Sequence, residues 1–145
     1  VIGEAESSVA EFQGHSADLL QNVMMAWWER IGANKVSGIV KLVTAEAGNF
    51  PELAKFYQDE VINRGTRMIS SMLERGIARG EFRPVNVTQM TRVLIAPMLM
   101  LVTWKHSIGP CERGELEPLA FLSTFLDMAL HGLLPAAAMA EPAAA

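Results

Sequence analysis

The sequence predicts an all-α domain. The only sustained hydrophobic period lies near 3.6 residues, no hairpin dipeptide sits between alternating runs, and Gly or Pro closes most periodic segments. With 145 residues, 50% of them hydrophobic and 19% charged, and a mean hydropathy of +0.21, the chain suits one packed domain. A chain of this size buries roughly 70% of the surface its unfolded form exposes, so no metal or disulfide staple is needed. Its one cysteine, Cys111, has no internal partner and fits a reducing cytoplasm.

Six segments follow in order. Residues 1–14 are weakly amphipathic, with Val9 and Phe12 on one side and Glu4 and Glu6 on the other. Residues 17–32 carry Leu20, Met24, Trp27 and Ile31 at helical spacing, broken by Gly32-Ala33-Asn34. Residues 35–47 place Ile39, Val40, Val43 and Ala47 on one face, with Gly48 as the stop. The fourth helix has Asn49 as cap, Glu52 at the capping-box position and Pro51 in the first turn. One stripe then runs through Leu53, Phe56, Tyr57, Val61, Met68, Ile69, Met72, Leu73 and Ile77, until Gly80 and Pro84 end it. Arg75 and Arg79 near its end suit the helix dipole. A helix of roughly 30 residues, about 45 Å long, is expected. Asn86 with Gln89 repeats the capping pattern and opens the fifth helix, residues 86–108, which Gly109-Pro110 ends. The sixth covers residues 115–134. Residues 1–134 thus form the helical domain. Residues 135–145 are an Ala/Pro-rich tail expected to be disordered.

The last two helices are more apolar than a self-contained bundle needs. Val93 to Val102 has no polar face, yet it is shorter than the roughly 20 residues that span a bilayer and is flanked by Arg92 and Lys105. The sixth helix carries two apolar stripes: Leu119, Leu122, Leu126, Leu130 and Leu133, and Phe121, Phe125, Met128 and Gly132. Either one large internal core surrounds both helices, or they pair with their symmetry mates in an intersubunit four-helix bundle. The second reading is preferred. It assigns the dimer interface to Val93, Met100, Trp104, Leu119, Leu122, Phe125, Leu126, Ala129 and Leu133.

Charge and motifs exclude much. A net charge of −4 and a pI near 5.4 argue against nucleic-acid binding through the domain's own surface. No Walker loop, Rossmann fingerprint, HExxH, nucleophile elbow or paired Glu-x-x-His occurs, so neither an enzyme nor a cofactor or metal is indicated. Glu11 and His15 are four apart, which is a weak metal signal, and His106 and His131 lie near helix ends. Asn86-Val87-Thr88 matches a glycan acceptor, but no secretion signal accompanies it. Nine methionines are many for this length. Together with the tryptophans they suit either an adaptable core or a cavity for varied apolar ligands. The cavity reading draws on Met24, Trp27, Trp28, Phe56, Tyr57, Met68, Met72, Met90, Leu94 and Met98, with Tyr57 and Arg67 as polar contacts. Trp27 and Trp28 point about 100° apart on a helix, so one of them packs on a neighbour instead.

The stretch from Ala45 to Tyr57, Ala-Glu-Ala-Gly-Asn-Phe-Pro-Glu-Leu-Ala-Lys-Phe-Tyr, resembles a recurring segment in the C-terminal domains of tetracycline-repressor (TetR) family bacterial regulators. Leu73 to Arg83, Leu-Glu-Arg-Gly-Ile-Ala-Arg-Gly-Glu-Phe-Arg, is similar to that family's exit from its long helix. The resemblance implies a cytoplasmic homodimeric repressor whose C-terminal domain binds a small effector. It also implies an N-terminal helix-turn-helix, which this sequence lacks and which would lie upstream of Val1. The implied mechanism is geometric. Dimer symmetry sets the spacing of two recognition helices against major grooves about 34 Å apart, and an effector that favours another spacing releases the DNA. Residues 1–14 would be the lever, the long helix a pocket wall, and Pro97 a kink between pocket and dimer interface.

Overall fold

The computed structural model describes residues 2–111, 114 and 116–135. Among them every regular element is helical: α1 (Ile2–Glu11), α2 (Ser16–Trp27), α3 (Gly38–Glu46), α4 (Pro51–Tyr57), α5 (Asn63–Ala78), α6 (Val87–Lys105) and α7 (Pro118–Leu133). A π turn, Trp28–Gly32, extends α2, and a short 3-10 turn, Lys35–Ser37, leads into α3. A second π turn, Gln58–Ile62, joins α4 to α5 without a break in helical backbone, so the two form one rod. The expected all-α class and six-rod order are therefore present. Most of the tail lies outside the described residues.

α5 is the organising element. It packs on α1, α2 and α6, while α6 also packs on α3 and α7. Leu20 from α2, Met72 and Leu73 from α5, Leu94 and Leu101 from α6, and Leu122 and Leu133 from α7 are fully buried in one cluster. By length and composition α6 is apolar enough to cross a bilayer, being longer than its Val93–Val102 run. Here part of its apolar surface packs on neighbours, with Leu94, Met98, Leu101 and Val102 buried.

Local chemistry sets most helix ends. Asn86 Oδ1 accepts from Gln89 N at 3.1 Å, as the capping pattern requires. α5 ends in a Schellman turn: Glu81 N donates to Gly76 O (2.9 Å) and Gly80 N to Ile77 O (3.1 Å). Gly80 supplies the φ of +70° that this turn needs. α7 begins at Pro118, capped by Glu117, whose carboxylate accepts from Leu119 N (3.3 Å) and Ala120 N (2.8 Å).

Three expectations are corrected. Asn49 does not cap the long helix. Its amide donates to Glu46 Oε2 (2.9 Å), Phe50 takes the cap position without a side-chain bond, and Pro51 removes one of the donors a cap would serve. The long apolar stripe does not stay on one face. Ile69, Met72 and Leu73 are buried, but Leu53 and Phe56 are 45% and 64% exposed. A π turn carries an extra residue and so rotates the two halves by about 100° against each other. On α3, Val40 and Val43 turn inward while Ile39 is exposed. The 3-10 turn before Gly38 winds residues 35–37 more tightly than the continuous α-helix expected there.

Candidate functional site

The methionine-rich region is closed. Met24, Trp28, Met72, Leu94 and Met98 are all buried in the central cluster, and Trp27, Tyr57, Met68 and Met90 are half-buried against it. Burial pushes the Tyr57 hydroxyl above the ordinary phenol range. Phe56 projects outward on α4, and Arg67 lies exposed on α5. The eleven residues named for a pocket are thus divided between core and surface. The two adjacent tryptophans diverge as helix geometry requires, Trp28 inward and Trp27 at the margin.

Two surface concavities stand out among the described residues. One, of about 360 Å³, is shallow and is formed by Asn49, Phe50, Pro51, Glu52 and Leu53. The other, of about 470 Å³, is an open groove between α1 and α5, lined by Glu6, Val9, Ala10, Arg67, Met68, Ser71 and Arg75. Met68 and Arg67 belong to both this groove and the pocket read from sequence. Met68 also packs on the central cluster, so it separates the groove from the methionine-rich core.

Polar pins hold α1 along this groove. Arg64 grips Glu6 with two bonds, Nε to Oε1 at 3.2 Å and Nη2 to Oε2 at 2.7 Å. That bond and the Arg64 charge hold the Glu6 carboxyl below its usual range, with Arg67 adding to the effect. Further along, Arg75 donates to Phe12 O (3.2 Å), Gly14 O (2.8 Å) and Ser16 Oγ (2.8 Å) while its guanidinium lies 5.8 Å from the Phe12 ring centre. Ser16 is fully buried and its backbone N–H donates to Glu81 Oε2 at 2.9 Å. Ser16, through its side chain first and its backbone N–H as well, holds the Glu81 carboxyl below its ordinary pKa. Arg75 was legible in the sequence only as a dipole partner. The turn it holds lies some sixty positions away, and no sequence spacing carries that signal.

A second tie joins α6 to the turn between α2 and α3. Lys105 Nζ donates to Gly32 O (3.0 Å), Asn34 O (3.1 Å) and Ala33 O, which caps the C-terminal end of the α2 extension. His106 Nε2 meets Ser37 Oγ at 2.7 Å, and His106 O accepts from Lys41 Nζ at 2.7 Å. Ser37 Oγ also lies 2.9 Å from Gly32 O and 2.8 Å from Asn34 O, with one proton to give. That proton goes to a carbonyl, so His106 Nε2–H donates to the serine oxygen. Burial first, then the Lys105 and Lys41 charges, hold His106 below the ordinary imidazole pKa. His131 bonds its own helix, to Asp127 O, and His15 caps α2 by accepting from Ala17 N. Among the described residues no group of His, Cys, Asp or Glu is placed to hold a metal ion.

The outward faces of α6 and α7 are apolar. Val93, Leu99 and Met100 are 57%, 43% and 43% exposed, and Leu119 and Met128 are 47% and 66% exposed. Of the nine interface residues read from sequence, Leu122, Phe125, Leu126 and Leu133 lie in the protomer's own core. Trp104 and Ala129 are half-buried, and Val93, Met100 and Leu119 face out. α7 therefore buries Leu122, Leu126 and Leu133 of one stripe together with Phe125 of the other, and leaves Leu119 and Met128 exposed.

Residues 14–108 match the family model described as "Tetracyclin repressor-like, C-terminal domain". This chain belongs to that family. No curated protein and no solved structure matches it. As a TetR-type C-terminal domain it belongs to a family of transcriptional regulators, and the matched span covers α2 through α6 with the α1–α5 pins at its edge.

Proposed function

We propose that the chain is the effector-binding and dimerisation domain of a cytoplasmic bacterial TetR-type repressor, without catalytic activity and not inserted in a membrane. The observation that carries this is the family match over residues 14–108, joined to the exposed apolar side of α6 and α7. Two copies pair through Val93, Leu99, Met100, Leu119 and Met128, while Leu122, Phe125, Leu126 and Leu133 support that face from behind. A stable pair buries about 1,200–2,000 Å² in all, which two helices from each partner can supply. α1 leads toward a helix-turn-helix encoded upstream, and its pins to α5 make it the lever. A small, mostly apolar effector that binds against α5 shifts α1, changes the spacing of the two readers and releases the operator.

A gel shift tests this. Expressed with the coding sequence upstream of Val1, the protein is expected to retard a palindromic site in a salt-sensitive way. The piece from Val1 to Ala145, with its net charge of −4, is not. Sequence-selective retardation by the short piece, or an upstream sequence without a helix-turn-helix, contradicts the proposal.

A further inference from the structure

We propose that the α1–α5 groove is a binding site for an amphipathic anion, a small molecule with an apolar body and one carboxylate, and that Arg67 is its anchor. The inference deepens the reading above by naming the ligand class and the place. It rests on that reading only for the consequence at DNA.

The groove's volume of about 470 Å³ falls in the range of about 300–1,000 Å³ usual for small-molecule sites. Val9, Ala10 and Met68 give it apolar walls. Its three charged residues are not equivalent. Glu6 is engaged on both oxygens by Arg64. Arg75 spends its donors on Phe12 O, Gly14 O and Ser16 Oγ. Arg67 is exposed and makes no direct hydrogen bond or ion pair among the described residues, and its charge reaches Glu6 only at longer range. A free guanidinium beside a neutralised carboxylate and an apolar wall matches a carboxylate head with a hydrocarbon tail, because the planar fork takes both carboxylate oxygens. A cationic ligand would instead have to displace Arg64 from Glu6. Since Glu6, Val9 and Ala10 belong to α1 while Arg67, Met68 and Ser71 belong to α5, a ligand here sits directly on the seam of the lever.

The probe is decanoate, kept below its micelle concentration, with decanol as the uncharged match. Binding is measured by isothermal titration on the chain as it is. Decanoate is expected to bind more tightly than decanol by about tenfold, the worth of one charge-assisted bond. Arg67→Gln is expected to lose decanoate binding by at least that factor. Arg67 is exposed and makes no direct ion pair, and the neutral side chain adds no repulsion toward Glu6, so the unliganded variant should melt close to the parent. Ala10→Trp fills the groove from α1 and is expected to block both probes. Equal binding of the two probes, undiminished decanoate binding in either variant, or no decanoate binding at all overturns the proposal. A chain that is monomeric, or whose longer form ignores DNA, would defeat the regulatory reading while leaving this titration intact.

Discussion

Gly76 shows how one missing methyl sets the end of the long rod. A Cβ there would lie 2.1 Å from Phe82 Cδ2, and Phe82 is 2% exposed. Gly76→Ala therefore forces the ring out of the core. The expected loss is about 1–3 kcal/mol, more than the roughly 1 kcal/mol that alanine returns in helix propensity. Gly65 lies on the same helix with nothing within 4 Å of its would-be Cβ. Gly65→Ala should gain about 0.5–1 kcal/mol. Urea melts of the two variants check the contrast, and two stabilised proteins would mean that Phe82 repacks freely. At this scale the sequence was informative where chemistry is local. Asn86 caps as its spacing with Gln89 suggests, and Gly80 stops α5 because only its φ of +70° closes the turn. Asn49 misled because its amide N–H donates back to Glu46 Oε2 and Phe50 takes the cap position, so its Oδ1 does not serve the first turn of α4. The bonds that tie Arg75 and Glu81 to Ser16 were not legible because they join positions about sixty apart, which no local pattern encodes.

Among the elements, α6 carries the most demands. One side builds the core, another faces outward, and its end holds the α2–α3 turn through Lys105 and His106. The His106 tie responds to pH with a definite sign. Its pKa is lowered on folding, by burial and by Lys105 and Lys41, so the unfolded chain takes up the proton more readily. The stability linked to neutral His106 is complete above the unfolded imidazole value of about 6.5 and fades as pH falls through the lower folded value. Urea midpoints measured from pH 7.5 down to 5 should therefore decline. His106→Gln, which keeps a donor for Ser37, should flatten part of that slope, and an unchanged slope would refute the assignment. Helical periodicity made the rods legible because each amphipathic face repeats every 3.6 residues. It failed between α4 and α5. The π turn Gln58–Ile62 shifts the phase, and neither Gly nor Pro marks it. Periodicity could not separate a pocket from a packed core, for a related reason. Periodicity finds the inward face of a helix but not whether that face meets a cavity or another side chain, and Met24, Met72 and Met98 meet each other's cluster.

For the whole molecule, the family match and the open apolar side of α6 and α7 lead to one account: two copies pair there, and the groove beside α1 converts a bound ligand into a change of spacing. The two apolar stripes of α7 were readable from sequence, but which residues of each the protomer keeps for itself were not. That choice depends on how α7 docks on α2 and α6. Pairing is the step on which the geometric mechanism depends, since a monomer has no spacing to alter. Multi-angle light scattering at micromolar concentration tests it directly, on the parent chain and on a Val93→Glu, Met128→Glu double variant. Both substituted side chains are more than half exposed, so the variant should keep its fold. The account predicts a parent of twice the 15.8 kDa chain mass and a folded monomeric variant. A parent that runs as a 15.8 kDa monomer, or a variant that stays dimeric, would contradict it.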